Sequence, residues 1–167
     1  MAAFVLEKHV FFWLTQVIAA RDRRLAEALD GHGLRAPEWR VLATLRARQR
    51  CSMTELAELA SIDRSTLTRL VDRMQQSGWL TRLSDAEDMR VTRLAPTAAG
   101  EKLFGRIWPA VEELNDAALV GLPDGAADLL RWTLERMHHN LDAQRDGPAR
   151  PASQPVAQPA AGPAAQP

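Results

Sequence analysis

The sequence has a single cysteine, Cys51, so no disulfide can close within the chain, and such sparse usage suits a reducing compartment. No run reaches eighteen uninterrupted apolar residues, and the N-terminus lacks the basic-then-apolar layout of a signal peptide. A soluble, cytoplasmic protein with no membrane contact is expected. Glycine-rich phosphate loops, nucleophile elbows and metal-ligand spacings are all missing; adjacent His138 and His139 would point apart on a helix. Neither enzyme chemistry, a cofactor nor a metal is expected. Excess charge of one sign is missing too, since 21 Lys and Arg balance 21 Asp and Glu. That excludes a uniformly basic nucleic-acid binder, though a helix entering a groove needs only a few arginines on the correct face. No internal repeat is visible.

What is present is a chain of 167 residues, 46% hydrophobic and 25% charged, enough for one sizeable core. The stretch Ser52 to Gly100 organises it. Ser52-Met53-Thr54-Glu55 has the spacing of a capping box, in which hydroxyl and carboxylate satisfy each other's orphan backbone donors. A short helix over Met53 to Ala60 follows, then the turn Ser61-Ile62-Asp63, with Asp63 as the cap of a second helix to about Ser77. In that second helix Leu67, Leu70, Val71 and Met74 fall at i, i+3, i+4 and i+7 and predict one buried stripe. The opposite face carries Ser65, Thr68, Arg69, Asp72 and Gln76, flanked by Arg64, Thr66 and Arg73. Gly78 supplies a left-handed helix end. Trp79 to Leu83 and Arg90 to Ala95 alternate as two strands around the polar turn Ser84 to Asp88, giving a hairpin with Arg82, Arg90 and Arg93 on or near it.

Upstream, Phe4 to about Asp30 reads as a long helix ended by Gly31 and Gly33. Its first half holds Phe4, Phe11, Phe12 and Trp13, more apolar bulk than one packing stripe needs, which points to a partner subunit. Ala36-Pro37 opens the next helix, with Trp39, Val41, Leu42 and Leu45 inside and Arg40, Arg46 and Arg48 facing or flanking solvent. From Leu34 to Arg50 five arginines face one acid, whereas Cys51 to Pro96 holds six arginines and seven acids. Thr97 caps a helix to about Leu119, in which Pro109 removes one donor and predicts a kink. Gly121-Leu122-Pro123 is a break, and Pro123 opens a broadly apolar last helix to about Ala143. From Gly147 to Pro167 there are six prolines and one charge, Arg150, so a disordered, Pro/Ala-rich tail is expected.

Taken in order, Gly33-Leu34, Pro37-Glu38-Trp39-Arg40-Val41-Leu42, Thr54-Glu55-Leu56-Ala57, the run Ser65 to Met74 with Gly78, Asp88-Met89-Arg90 and Thr97-Ala98-Ala99-Gly100 resemble the successive signatures of the MarR family of bacterial transcription regulators. The resemblance spans residues 4 to 142. It implies a mainly α fold with a small β-hairpin wing, a winged helix-turn-helix joined to a helical dimerisation region. It also implies an obligate homodimer whose terminal helices pair, a pseudo-palindromic double-stranded operator, and often a small ligand that releases the DNA. Met89 stands where the family's wing usually has another arginine, and Pro96 where a leucine usually precedes the Thr-x-x-Gly helix start.

The organisation expected is a dimerisation helix over residues 1–33, a DNA-binding module over 34–96, helices completing the dimerisation region over 97–146, and the tail over 147–167. Arg69, central on the exposed face, is the leading base-reading residue, with Ser65 and Thr68 beside it. Arg64, Thr66 and Arg73 meet phosphates or brace the helix, and Arg90, held by Asp88, is the wing-tip candidate for a narrow minor groove. Arg73 and Asp88 serve equally well as scaffold ion-pair members. His9, Trp13 and Trp39 are the candidates for an aromatic-lined site that would suit a small aromatic carboxylate, or else they are core aromatics and a surface histidine. Cys51, in a loop beside Arg48 and Arg50, could have its pKa lowered by that charge, but it has no resolving partner in the chain. The reading is a ligand-released repressor; the alternative is a winged-helix module that binds protein and not DNA.

Overall fold

The computed structural model describes residues 4–84 and 92–143. Asp88, Met89 and Arg90 of the expected wing tip, and the tail from Gly147, lie outside the described residues. The chain divides into two units, Met1–Val120 and Gly121–Pro167.

In the first unit the N-terminal helix is shorter than its apolar pattern suggests. A 3-10 turn occupies Leu6–Lys8, His9 is extended, and helix α1 runs Val10–Leu29. The break is held locally, because the Trp13 indole N–H donates to the Glu7 carbonyl at 2.9 Å and fastens the turn onto the first turn of α1. Helix α2 (Ala36–Arg48) has Pro37 in its first turn and buries Trp39, Val41, Leu42 and Leu45, as the pattern predicts.

A two-residue strand β1 (Cys51–Ser52), which the sequence does not reveal, leads into α3 (Met53–Ala60), α4 (Arg64–Gln76) and strands β2 (Leu80–Ser84) and β3 (Thr92–Pro96). The sheet is therefore three-stranded and antiparallel in the order β1-β3-β2, with Cys51 opposite Leu94 and Leu80 opposite Pro96. Strand β2 begins one residue later than expected. The Trp79 N–H is consumed in closing α4 on the Met74 carbonyl, while Gly78, at φ +73°, donates to Gln75. These two bonds form the left-handed helix termination that Gly78 predicts.

Helix α5 (Ala98–Leu119) starts at the Thr97 cap and runs unbroken through Pro109. Its approach to the sheet explains the Thr-x-x-Gly pattern. The Thr97 N–H donates to the Trp79 carbonyl, its hydroxyl donates to the Gly78 carbonyl, and a Cβ on Gly100 would sit 2.0 Å from the Trp79 oxygen. Only glycine lets α5 lie this close to the backbone.

One core joins these elements: Leu25 and Leu29 of α1 with Leu103, Ile107 and Val111 of α5, and Leu42, Leu56, Leu67, Val71, Met74, Leu80 and Leu94 of the winged region. Each such leucine stabilises the fold by about 1.5–3 kcal/mol through removal from water. Leu70, expected in the same stripe, is half-buried at its edge.

In the second unit α6 spans Ala126–Ala143. It starts later than Pro123, because Gly125 adopts φ +76° and the Pro123 carbonyl accepts the Ala126 N–H, so residues 123–125 form a turn ahead of the helix. Among the described residues no helix is long and apolar enough to cross a membrane, and no group of three His, Cys, Asp or Glu side chains is placed to hold a metal ion.

Candidate nucleic-acid interface

The candidate interface is built on two successive helix caps. Ser52 Oγ accepts the Glu55 N–H at 3.2 Å and the Glu55 carboxylate accepts the Ser52 N–H at 2.7 Å, the reciprocal arrangement the spacing predicts. The Ser52 N–H and hydroxyl hold the Glu55 carboxyl below its ordinary value, with smaller help from Arg93 and Arg48. Asp63 opens α4 by accepting the Ser65 hydroxyl at 2.7 Å and the Thr66 N–H at 2.9 Å. Those bonds push its carboxyl well below the usual range, the Ser65 hydroxyl contributing most. A negative charge here also opposes the positive end of α4.

Between the caps, Ser61 takes a left-handed conformation and the Ile62 N–H returns to the Ala57 carbonyl, turning the chain from α3 into α4. Leu67, Val71 and Met74 then pin one face of α4 inward. Arg64, Ser65, Thr68 and Arg69 lie exposed on the other side, and Thr66 is half-buried. The Thr68 hydroxyl donates to the Arg64 carbonyl and that of Ser65 to Asp63, so both face outward as acceptors. Among the described residues the Arg64 and Arg69 guanidinium groups have no partner, which leaves ten N–H donors directed at solvent.

Several other charges on the module are engaged by distant elements. Asp72 pairs with Arg82 of β2 at 2.6 Å, and Arg93 of β3 pairs with Glu55 at 3.0 Å. Arg73, a candidate either for meeting phosphate or for bracing the helix, pairs with Glu38 of α2. Sequence reasoning passed over Glu38. A glutamate at the third position of a helix signals a cap, but its burial depends on α4 and leaves no local trace. Asp88 and Arg90 lie outside the described residues.

Among the described residues no ring contact joins the three aromatic-site candidates. Trp39 is 3% exposed and stacks on Phe104 at 5.1 Å, whereas Trp13 is exposed and spends its N–H on Glu7, and His9 lies against the Phe4 ring at 4.7 Å. Within one chain Trp39 is therefore a core aromatic. Cys51 is also relocated: it is buried in β1, not in a loop, and burial raises its thiol pKa, with Glu55 adding to the rise against the pull of Arg48 and Arg93. Desolvation of the thiolate outweighs the nearby cations.

The family model described as MarR family matches residues 34–92, from two residues before α2 to the first residue of β3. The repressor IacR of Pseudomonas putida is 30% identical over 139 residues, covering 83% of this chain and 83% of that protein. The chain belongs to the MarR family. It is a MarR-family transcription regulator of the helix-turn-helix class, and its mainly helical fold with a small antiparallel sheet is the family's. A structure of mutant MarR from E. coli complexed with operator DNA aligns at TM-score 0.66 and 25% identity over 75% of this chain and 90% of that one. The structure of NadR in complex with 4-hydroxyphenylacetate aligns at TM-score 0.74 and 27% identity over 82% and 97%. For this MarR-family chain, then, α3 and α4 are the helix-turn-helix and β2 and β3 the wing.

Proposed function

We propose that the chain is a homodimeric repressor, with no enzymatic activity of its own, that reads a pseudo-palindromic duplex with α4 and leaves it when a small aromatic carboxylate binds. Arg69 is the principal base-reading residue, with Ser65 and Thr68 beside it and Arg64 and Thr66 toward the phosphates. The observation that carries this reading is the pair of unpartnered guanidinium groups on the outward face of a helix that is capped and pinned on its other face. An arginine placed this way forms the commonest specific contact, two hydrogen bonds to guanine. The E. coli MarR complex with operator DNA supports the choice of ligand, and the NadR complex with 4-hydroxyphenylacetate supports an aromatic acid as effector.

The dimer is supported by apolar residues that the first unit leaves in solvent: Val10, Phe11, Trp13, Val17 and Ile18 of α1. In α6 of the second unit Leu129, Leu130, Trp132 and Leu141 are likewise exposed. The proposed organisation assigns residues 1–33 and 97–146 to dimerisation and 34–96 to DNA. An effector acts only through different affinities for the DNA-spaced and mis-spaced dimers.

Selection of bound genomic fragments, followed by release with a panel of small aromatic acids, tests the proposal. Recovery of a pseudo-palindrome with half-sites about one helical turn apart is expected from dimer symmetry. Salt-insensitive binding to a protein partner, with no genomic duplex retained, would replace it with the reading of a protein-interaction module.

A further inference from the structure

Glu38 is the single buried charged residue among the described residues, at 1% exposure. A carboxylate taken out of water is costly unless its oxygens are paired. Here both are: Oε2 accepts the Arg35 N–H at 2.7 Å and Oε1 pairs with the Arg73 guanidinium. The first partner lies in the connection leading into α2, the second in the last turn of α4.

The neighbour of Arg73, Asp72, is held by Arg82 of β2. Successive residues of a helix are about 100° apart around its axis. The two ion pairs therefore grip α4 from different directions, one from α2 and one from the sheet. They are not equal. Asp72 and Arg82 are both substantially exposed, and such pairs contribute little. The Glu38 end is dry, and a charge-assisted bond to a forked guanidinium is directional in a way that apolar packing is not. Arg69 precedes Arg73 by one helical turn, so a rotation of α4 about its axis swings its side chain across the groove.

We propose that Glu38 is a positioning residue for operator reading: its side chain holds Arg73 and so fixes the rotation of α4 that aims Arg69 at base edges. The inference rests on the reading of α4 as the DNA-reading helix. Arg73 contributes through this pairing and not through a phosphate contact.

The test compares binding to a duplex selected by the full-length protein from genomic fragments with binding to a scrambled duplex of the same composition. Glu38→Gln is expected to lower the selected-to-scrambled affinity ratio by about tenfold to a hundredfold, the effect of misaligning one bidentate base contact, with scrambled binding nearly unchanged. Combining it with Arg69→Ala should lower the ratio no further than Arg69→Ala alone, since the two act through one contact. Arg73→Lys keeps the charge but not the fork, so it should shift the ratio in the same direction, and it carries the comparison if Glu38→Gln does not fold. Retention of the ratio in both Glu38→Gln and Arg73→Lys, while Arg69→Ala loses it, overturns the positioning role and leaves the DNA reading standing. So does a double variant whose losses multiply. An unchanged ratio in Arg69→Ala removes the DNA reading itself, and the inference with it.

Discussion

The apolar residues in the two halves of α1 have opposite fates. Leu25 and Leu29, near its C-terminal end, are 0% and 2% exposed, packed on α5 and the winged region, whereas Val10, Phe11, Trp13, Val17 and Ile18 are 54–60% exposed. The first half is the richer in large apolar residues, yet it is the half left largely in solvent. The difference is supplied by what the rest of the unit offers: α5 covers one end of α1 and leaves the other with a face of its own. Apolar residues along one helix thus serve two purposes, folding at one end and, under the proposed function, association at the other.

Breaking the buried end should have the largest effect. Leu25→Ala is expected to lower the unfolding free energy by about 2–5 kcal/mol in urea titration, because its site cannot fully collapse. A change below one-tenth of that range would mean α1 is not part of the core. At the exposed end, Trp13→Ala with Ile18→Ala should weaken self-association by about 2 kcal/mol or more if these side chains are central to the dimer. Sedimentation across a concentration series reads this, and an undisturbed dimer would move the interface elsewhere.

The same contrast between inward and outward faces holds on α4. Arg69→Ala should cost about 1–3 kcal/mol of discrimination between selected and scrambled duplexes. Its melting temperature should stay that of the parent, since an exposed side chain without a partner contributes little to the fold. A matched loss on both duplexes would place Arg69 on phosphate. Ser52→Ala, which removes one donor's partner at the start of α3, should cost roughly 1 kcal/mol of stability by chemical denaturation.

The smallest effect is the pH dependence of the caps. Asp63 and Glu55 have carboxyl groups held below their ordinary values of 3.8 and 4.5 by the hydrogen bonds they accept. Between the folded and the unfolded pKa the unfolded chain binds more protons, so stability there rises with pH. Their contribution is fully present above the ordinary values and is lost as pH falls through the folded ones. Asp63→Asn, which caps without ionising, should flatten the acid limb of a stability-against-pH curve, and an unaltered limb would locate the proton uptake elsewhere.

Much of the module was legible because its signals are local. The Ser52 and Glu55 box, the Asp63 cap, the left-handed Gly78 and the inward stripe of α4 each depend on residues within a turn or two of one another. Strand β1 was not legible. Two residues show no period, and Cys51 is a strand residue only because Leu94 lies opposite it. The start of β2 moved because the Trp79 N–H had a better partner in α4. At the interface the outward orientation of Arg69 follows from periodicity, while the diversion of Arg73 to Glu38 and of Trp39 to Phe104 required knowing which helices meet.

The amino-acid order determined the helices, their caps and the face of α4 that turns inward, because hydrogen bonds and apolar periods within a few residues are enough to specify them. Tertiary structure decided which charges stay free. A guanidinium or carboxylate is neutralised or exposed according to what another element brings beside it, and the pairs Glu38 with Arg73 and Glu55 with Arg93 join residues thirty or more positions apart. The outward-facing arginines of this regulator are therefore the remainder left after distant segments have claimed the rest.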